Sequence, residues 1–435
     1  MYTGRSRCLK CGHEFTEENI FTGCPYCKTD KFVSNLTPLY ELEKTDGSRK
    51  TYEKMFGGKR LESYLSVLPF KKKRRLVSLN EGNTPVTELT RIGSELGISL
   101  YAKDESRNPT WGHKDRLNAV LINKAIERKA PGVIYASTGN NGASGAAYAA
   151  KVGMPCIILT VKGVNPTLEI FMQAYGACVV GVKTVADRWK ILKECVEKYN
   201  WYPATNYTIP IVGSNPWAID GYKIIAHELY QQMEELPDKI VVPICYGDAL
   251  FGIMKGFAEL KQMGFIEKIP HMVAVEDYGP VTKAYESHSS IIEPVESWGS
   301  VASSMSTVYG TYHSLYTLNK THGLAVSLEN NQQINAAQKE LACKEGLYCE
   351  SASATTLAGV KKLMQMGKIK EGERVLLLIT AAGVKDTKTT KEYVGEIPES
   401  ETDMKMFSDV LKDHYGIDLA MNANIKVSHL GSKCS

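Results

Sequence analysis

The sequence predicts an α/β protein, an open parallel sheet covered by helices on both faces and preceded by a small unit gathered around cysteines. Three observations predict it. From about residue 79, short apolar β-branched runs alternate with longer segments of helical period. Several of those runs end in loops rich in glycine, hydroxyl and amide groups, where open parallel sheets keep their ligands. Near the start, four cysteines stand in two C-x-x-C pairs. At 435 residues the chain exceeds what one hydrophobic core usually organises, so two or three structural units are expected.

Residues 1–32 form the cysteine unit. Cys8 and Cys11, then Cys24 and Cys27 after twelve intervening residues, supply two turns whose sulfurs can meet at one point. That is the donor set of a closed tetrahedral zinc site, and about 30 residues need such a metal to fold. The ribbon reads as a structural appendage rather than a nucleic-acid or protein contact, since no basic and aromatic run accompanies it. Residues 33–78 form a connecting region ending in Lys71, Lys72, Lys73, Arg74 and Arg75, read as a solvated face.

Residues 79–390 form the core, with a smaller α/β lobe inserted at about 110–220. Val133–Ala136, Cys156–Leu159, Ile240–Ile244, Met272–Val275 and Val375–Ile379 read as buried strands. Leu117, Leu121 and Ala125, then Trp189, Leu192 and Val196, mark helices with one buried face. Met404 to Leu419 reads as one amphipathic helix inside a C-terminal extension, 391–435, taken as a surface appendage.

Hydrophobic residues at 43% and charged residues at 23% sit near globular averages, which excludes a chain disordered throughout. No apolar run approaches the ~18 residues of a membrane span, and Met1 to Cys8 is polar, so a soluble, cytoplasmic protein without a membrane partner is expected. A net charge of +4, from 52 basic and 48 acidic residues, argues against nucleic acid as the main partner. Eleven cysteines, an odd number, do not resemble a secreted disulfide framework.

Three strand-end loops carry the chemistry. Ser137-Thr138-Gly139-Asn140-Asn141-Gly142 opens a helix of small residues, and its hydroxyls and helix-end amides suit an anion. Tyr246-Gly247-Asp248-Ala249-Leu250 opens another helix and has the form of a phosphate cradle, though an ordinary tight turn fits too. Thr380 ends a strongly apolar strand with one hydroxyl that must find a partner.

Together with Glu81-Gly82-Asn83-Thr84-Pro85, Asn108 to Arg116, Asn215-Pro216, Gly221-Tyr222-Lys223, Glu228, Cys349 to Ala354 and Thr380 to Asp386, these loops resemble the threonine synthase family. The resemblance covers roughly residues 79–390 in unbroken order. It implies the two-domain, tryptophan synthase β-like fold (fold type II) of the pyridoxal-phosphate enzymes, preceded by the small zinc ribbon. It implies that Lys114 is the Schiff-base lysine and general base, and that Asn140 meets the cofactor's phenolic oxygen. Gly247, Asp248, Ala249 and Leu250 would hold its phosphate, with His113 beside it, and Thr380 would face the pyridine nitrogen. Ser137, Thr138 and Asn141 would hold the substrate carboxylate. A homodimer is implied as well, and a small partner subunit is the alternative.

The sequence departs from the family at the arginine that grips the phosphate of O-phosphohomoserine, where Ala218 stands, and at a neighbouring asparagine, where Val212 stands. Asp248 replaces an asparagine in the phosphate loop and is expected to repel a dianion or to receive an amine or hydroxyl; Trp111 is expected to narrow the wall beside the lysine. The reading is an enzyme that eliminates or replaces a group at the β or γ carbon of a small-molecule amino acid. Threonine synthase itself, cysteate synthase or a dehydratase, and the 2-amino-4-ketopentanoate thiolase subunit are the alternatives. A non-enzymatic binding protein on a retired core is the alternative of another class.

Overall fold

The computed structural model describes residues 1–16, 19–58, 60–71 and 75–419. The expected cationic run lies partly, and the chain after Leu419 wholly, outside them. Along the chain the strands are β1 (Tyr2–Cys8), β2 (Glu14–Phe15), β3 (Leu36–Tyr40), β4 (Val86–Glu88), β5 (Ser99–Asp104), β6 (Val133–Ala136), β7 (Cys156–Val161), β8 (Cys178–Val182), β9 (Tyr202–Pro203), β10 (Lys239–Pro243), β11 (His271–Glu276), β12 (Leu324–Ser327) and β13 (Arg374–Ile379).

They form three sheets. The six-stranded sheet runs β12-β11-β10-β13-β5-β4 and is parallel except for its edge, where β4 pairs antiparallel with β5. The four-stranded sheet, β8-β7-β6-β9, is wholly parallel and drawn from residues 133–203. Helices link the parallel strands, as that pairing demands. The third sheet, β2-β1-β3, is antiparallel and carries the cysteines; it closes on Leu36–Tyr40, just past the cysteine segment.

The helix Lys114–Glu127 departs from the one-faced expectation. Every residue from Asp115 to Ala125 is buried, because the helix packs against both Asn140–Lys151 and the turn Ala218–Tyr222. Its polar residues therefore need internal partners. Asp115 accepts from Thr110 N (2.7 Å), Thr110 Oγ1 (2.5 Å) and Ser144 Oγ (2.5 Å). Asn118 donates to Asn141 Oδ1 at 3.0 Å and accepts from the Tyr135 hydroxyl at 2.8 Å. Arg116 reaches both Glu105 and Glu228 at 2.5–2.8 Å, and Lys103 Nζ joins Glu228 at 2.7 Å. Burial works to raise the Glu228 carboxyl, and the two cations hold it below the usual range.

The cysteine sheet is seated on the core. Trp217 Nε1 donates to the Tyr2 hydroxyl (3.0 Å), Lys255 Nζ to Pro38 O (2.9 Å), and the Tyr40 hydroxyl to Asp220 Oδ2 (2.5 Å). In the C-terminal extension a helix covers Met404–Val410 and a further turn Leu411–Tyr415, with no buried residue in either. No helix of the described residues is long and apolar enough to cross a membrane.

Candidate functional site

A cavity of about 230 Å³ opens between the ends of β6 and β10 and is closed on other sides by Ser303–Ser306 and Thr380. Of the residues singled out from the sequence, His113, Lys114, Ser137, Thr138, Asn140, Asn141, Gly247, Asp248, Ala249, Leu250 and Thr380 all line it. Chain separations of more than 260 residues are thus brought to one wall.

Lys114 begins its helix, and its amine lies 5.8 Å from the centre of the Tyr222 ring. Burial lowers its pKa, Asp248 and Cys245 opposing the shift. His113 stacks on Tyr222 at 5.5 Å, and its Nδ1 lies 3.2 Å from Thr380 O. Burial first, then the Lys114 charge, push its pKa well below the ordinary value, so the ring is neutral.

Gly247 caps the helix Asp248–Gln262 in a left-handed conformation, φ +74°, and a Cβ there would meet Ser314 Oγ at 1.9 Å, so glycine is required. The N–H groups of Asp248, Ala249 and Leu250 have no acceptor among the described residues. The Asp248 carboxylate is occupied: it accepts from Ser214 N (3.2 Å) and Oγ (2.6 Å) and lies 3.2 Å from His313 Nε2. Of the expected amine or hydroxyl, it receives a hydroxyl, that of Ser214.

Across the cavity, Thr380 Oγ1 pairs with Ser353 Oγ at 2.8 Å, and Ser353 Oγ also accepts the N–H groups of Thr380 (3.0 Å) and Ala381 (3.1 Å). Asn140 donates to both oxygens of Glu350 (2.9 Å each) and accepts from Lys385 Nζ at 2.7 Å. Ser304 Oγ adds a bond to Glu350 at 3.0 Å. Ser137 Oγ accepts from Gly142 N at 3.0 Å, bending the loop that starts the helix Asn140–Lys151.

One expectation is corrected. Trp111 does not line the cavity; it is 42% exposed and packs on Phe171 with ring centres 5.2 Å apart. Ala218 and Val212 are buried, and neither short side chain reaches the cavity wall. Sequence reasoning gave no role to Glu350, Lys385, Ser353, His313 or Arg188. The first three lie inside or beside matched motifs and were legible as unassigned polar groups; nothing local marks His313.

In the cysteine unit, the sulfurs of Cys8, Cys11, Cys24 and Cys27 all lie within 4.8 Å of one another, the spacing a four-coordinate ion needs.

A lysine amine whose pKa burial lowers, helix-start N–H groups without acceptors among the described residues and the Thr380 hydroxyl meet at one strand-end cavity of an α/β fold, a set able to take an aldehyde and a phosphate. The comparisons agree. The profile of the pyridoxal-phosphate dependent enzymes matches residues 77–381. The threonine synthase of Methanocaldococcus jannaschii is 32% identical over 417 residues, covering 94% of this chain and 99% of its own length. That of Methanosarcina acetivorans is 30% identical, covering 90% and 94%. The chain belongs to the pyridoxal-phosphate dependent enzyme family, among the relatives of threonine synthase. Among solved structures, O-ureido-L-serine synthase (TM-score 0.59, 20% identity, 75% of this chain and 98% of that one) shares the fold. So does an L-serine ammonia-lyase from Rhizomucor miehei (TM-score 0.60, 16% identity, 74% and 100%).

The residues present fit that cofactor. The amine would answer its aldehyde, the free N–H groups at 248–250 its phosphate, and the Thr380–Ser353 pair a ring nitrogen.

Proposed function

We propose that the protein eliminates or replaces a substituent at the β or γ carbon of an amino acid, with pyridoxal phosphate held by Lys114. The observation that carries this reading is that Lys114, the free N–H groups of the Asp248–Leu250 turn and the Thr380 hydroxyl, backed by Ser353, line one cavity. When bound, the cofactor withdraws electrons from the substrate Cα and so makes its proton removable. Lys114, favoured in its neutral form by burial, takes that proton. The N–H groups at 248–250 would hold the phosphate, and the start of the helix Asn140–Lys151 would receive the substrate carboxylate beside Ser137, Thr138 and Asn141. Asn140, whose amide nitrogen bonds Glu350, would contact the phenolic oxygen.

Thr380 and Ser353 would offer the ring nitrogen a neutral partner, and a cofactor held that way would favour loss of a leaving group over transamination. Ala218 favours substrates other than O-phosphohomoserine, and threonine synthesis stays the second reading because full-length relatives carry that name. Zinc in the four-cysteine site completes the protein.

An absorbance spectrum with mass analysis tests this. The expected result is a near-visible band lost on borohydride reduction, a reduced cofactor adduct on the Lys114 peptide, and one zinc per chain. A colourless protein that cannot be reconstituted would point instead to a binding module.

A further inference from the structure

The helix Val185–Tyr199 turns Arg188 and Leu192 inward, one turn apart. Leu192 joins an apolar cluster with Ile134, Leu159 and Tyr207; Arg188 faces the cavity. Arg188 is 9% exposed, forms no ion pair or hydrogen bond with any described residue, and its Nε is shut off from solvent with no acceptor.

Other buried cations are not left this way. Arg116, Lys103, Lys223 and Lys255 each meet a carboxylate at 2.5–2.9 Å. Removing a cation from water without a partner costs several kcal/mol, so folds keep one where an anion will join it. Burial accordingly lowers the Arg188 pKa.

Lys114 is the other lysine or arginine among the described residues of the cavity wall, and the cofactor aldehyde accounts for it. The cofactor phosphate would have its own donors at 248–250, at the start of the helix that follows β10 of the six-stranded sheet. Arg188 comes from a helix packed on the four-stranded sheet, and the same cavity wall holds Thr205, whose oxygen accepts the Ala136 N–H (2.8 Å) and whose O–H is left to donate.

We propose that Arg188 is a specificity-determining residue that grips a terminal oxyanion on the substrate side chain, so that amino acids with a second acidic group are preferred. A guanidinium matches carboxylate, sulfonate and phosphate alike through paired N–H bonds. This rests on the function proposed above and supplies the anion contact that Ala218 and Val212 cannot make.

The test titrates the holoenzyme with L-aspartate, L-cysteate, O-phospho-L-serine and O-phospho-L-homoserine against L-serine and L-homoserine, following the cofactor band and turnover. Acidic ligands bind at least about tenfold tighter than neutral ones, and the four arms identify the oxyanion. Arg188→Ala raises KM for the acidic ligands by about 10- to 100-fold, a charge-assisted pair lost, and leaves the neutral ligands and the cofactor band within about twofold. Arg188→Lys recovers part of the loss.

A wild-type enzyme with no preference for acidic ligands overturns the proposal and needs no variant. Equal weakening of acidic and neutral ligands overturns it in favour of a structural role, and loss of the band in favour of a cofactor contact. A wild-type protein that takes up no cofactor defeats the proposed function instead.

Discussion

Arg116 and Arg188 are both buried arginines of the core, and they keep opposite company. Arg116 sits behind the lysine, clasped by two carboxylates, with Lys103 extending the network to Thr84 O and Gln232. Arg188 faces the cavity with no hydrogen-bond or ion-pair partner among the described residues, its Nε buried. A satisfied buried charge fixes where an element sits, whereas an unsatisfied one is stability held back for a ligand. Lys114 falls on the second side of that division, and Asp248 on the first.

The largest effect tests the unsatisfied side. Lys114→Ala should abolish the cofactor band on Lys114 and lower turnover by at least about 10⁴-fold, losing both general base and covalent anchor. Spectroscopy and steady-state rates check it, and melting should change little.

Arg116→Ala should cost about 3–5 kcal/mol, because Glu105 and Glu228 stay buried and unanswered. Arg188→Ala should stay within about 1 kcal/mol or stabilise the apo protein. Urea denaturation separates the two, and equal losses would break the comparison.

Asp248 sharpens it through pH. Burial opposes its ionisation, but His313, Lys114 and Ser214 hold its pKa at about 2, below the ordinary 3.8. A depressed carboxyl contributes stability that is fully present above about pH 4 and lost as the pH falls toward 2, about 2 kcal/mol in all. Melting of wild type between pH 5 and 2 should show that loss, and Asp248→Asn should flatten that part.

The smallest effect concerns Ser353→Ala, which removes one acceptor from the Thr380 and Ala381 N–H groups and should cost about 1–2 kcal/mol. Thermal melting reads it directly.

Much of the fold was legible because buried parallel strands are continuous apolar runs. β6 spans the predicted Val133–Ala136, and β13 extends the predicted run by one residue. β8 gave no such signal: it is an edge strand, partly exposed along its length and broken by Gly181. The helix Lys114–Glu127 looked one-faced because Asp115, Arg116, Asn118 and Asn123 are polar, yet all are buried with partners supplied from elsewhere in the chain. The cavity residues were legible as loop motifs. Arg188 was not, since one arginine beside an apolar stripe at Trp189, Leu192 and Val196 looks like a solvated neighbour until the helix is docked.

The strand order also bears on how the chain is made. β13, Arg374–Ile379, lies between β10 and β5 rather than at an edge, and Thr380 follows it into the cavity wall. During synthesis the four-stranded sheet, complete by residue 203, can assemble while the larger one still lacks its middle. Cofactor capture therefore waits until Thr380 has left the ribosome, and a nascent chain stalled before that point exposes two open sheet edges, on β10 and β5, to chaperones and neighbours.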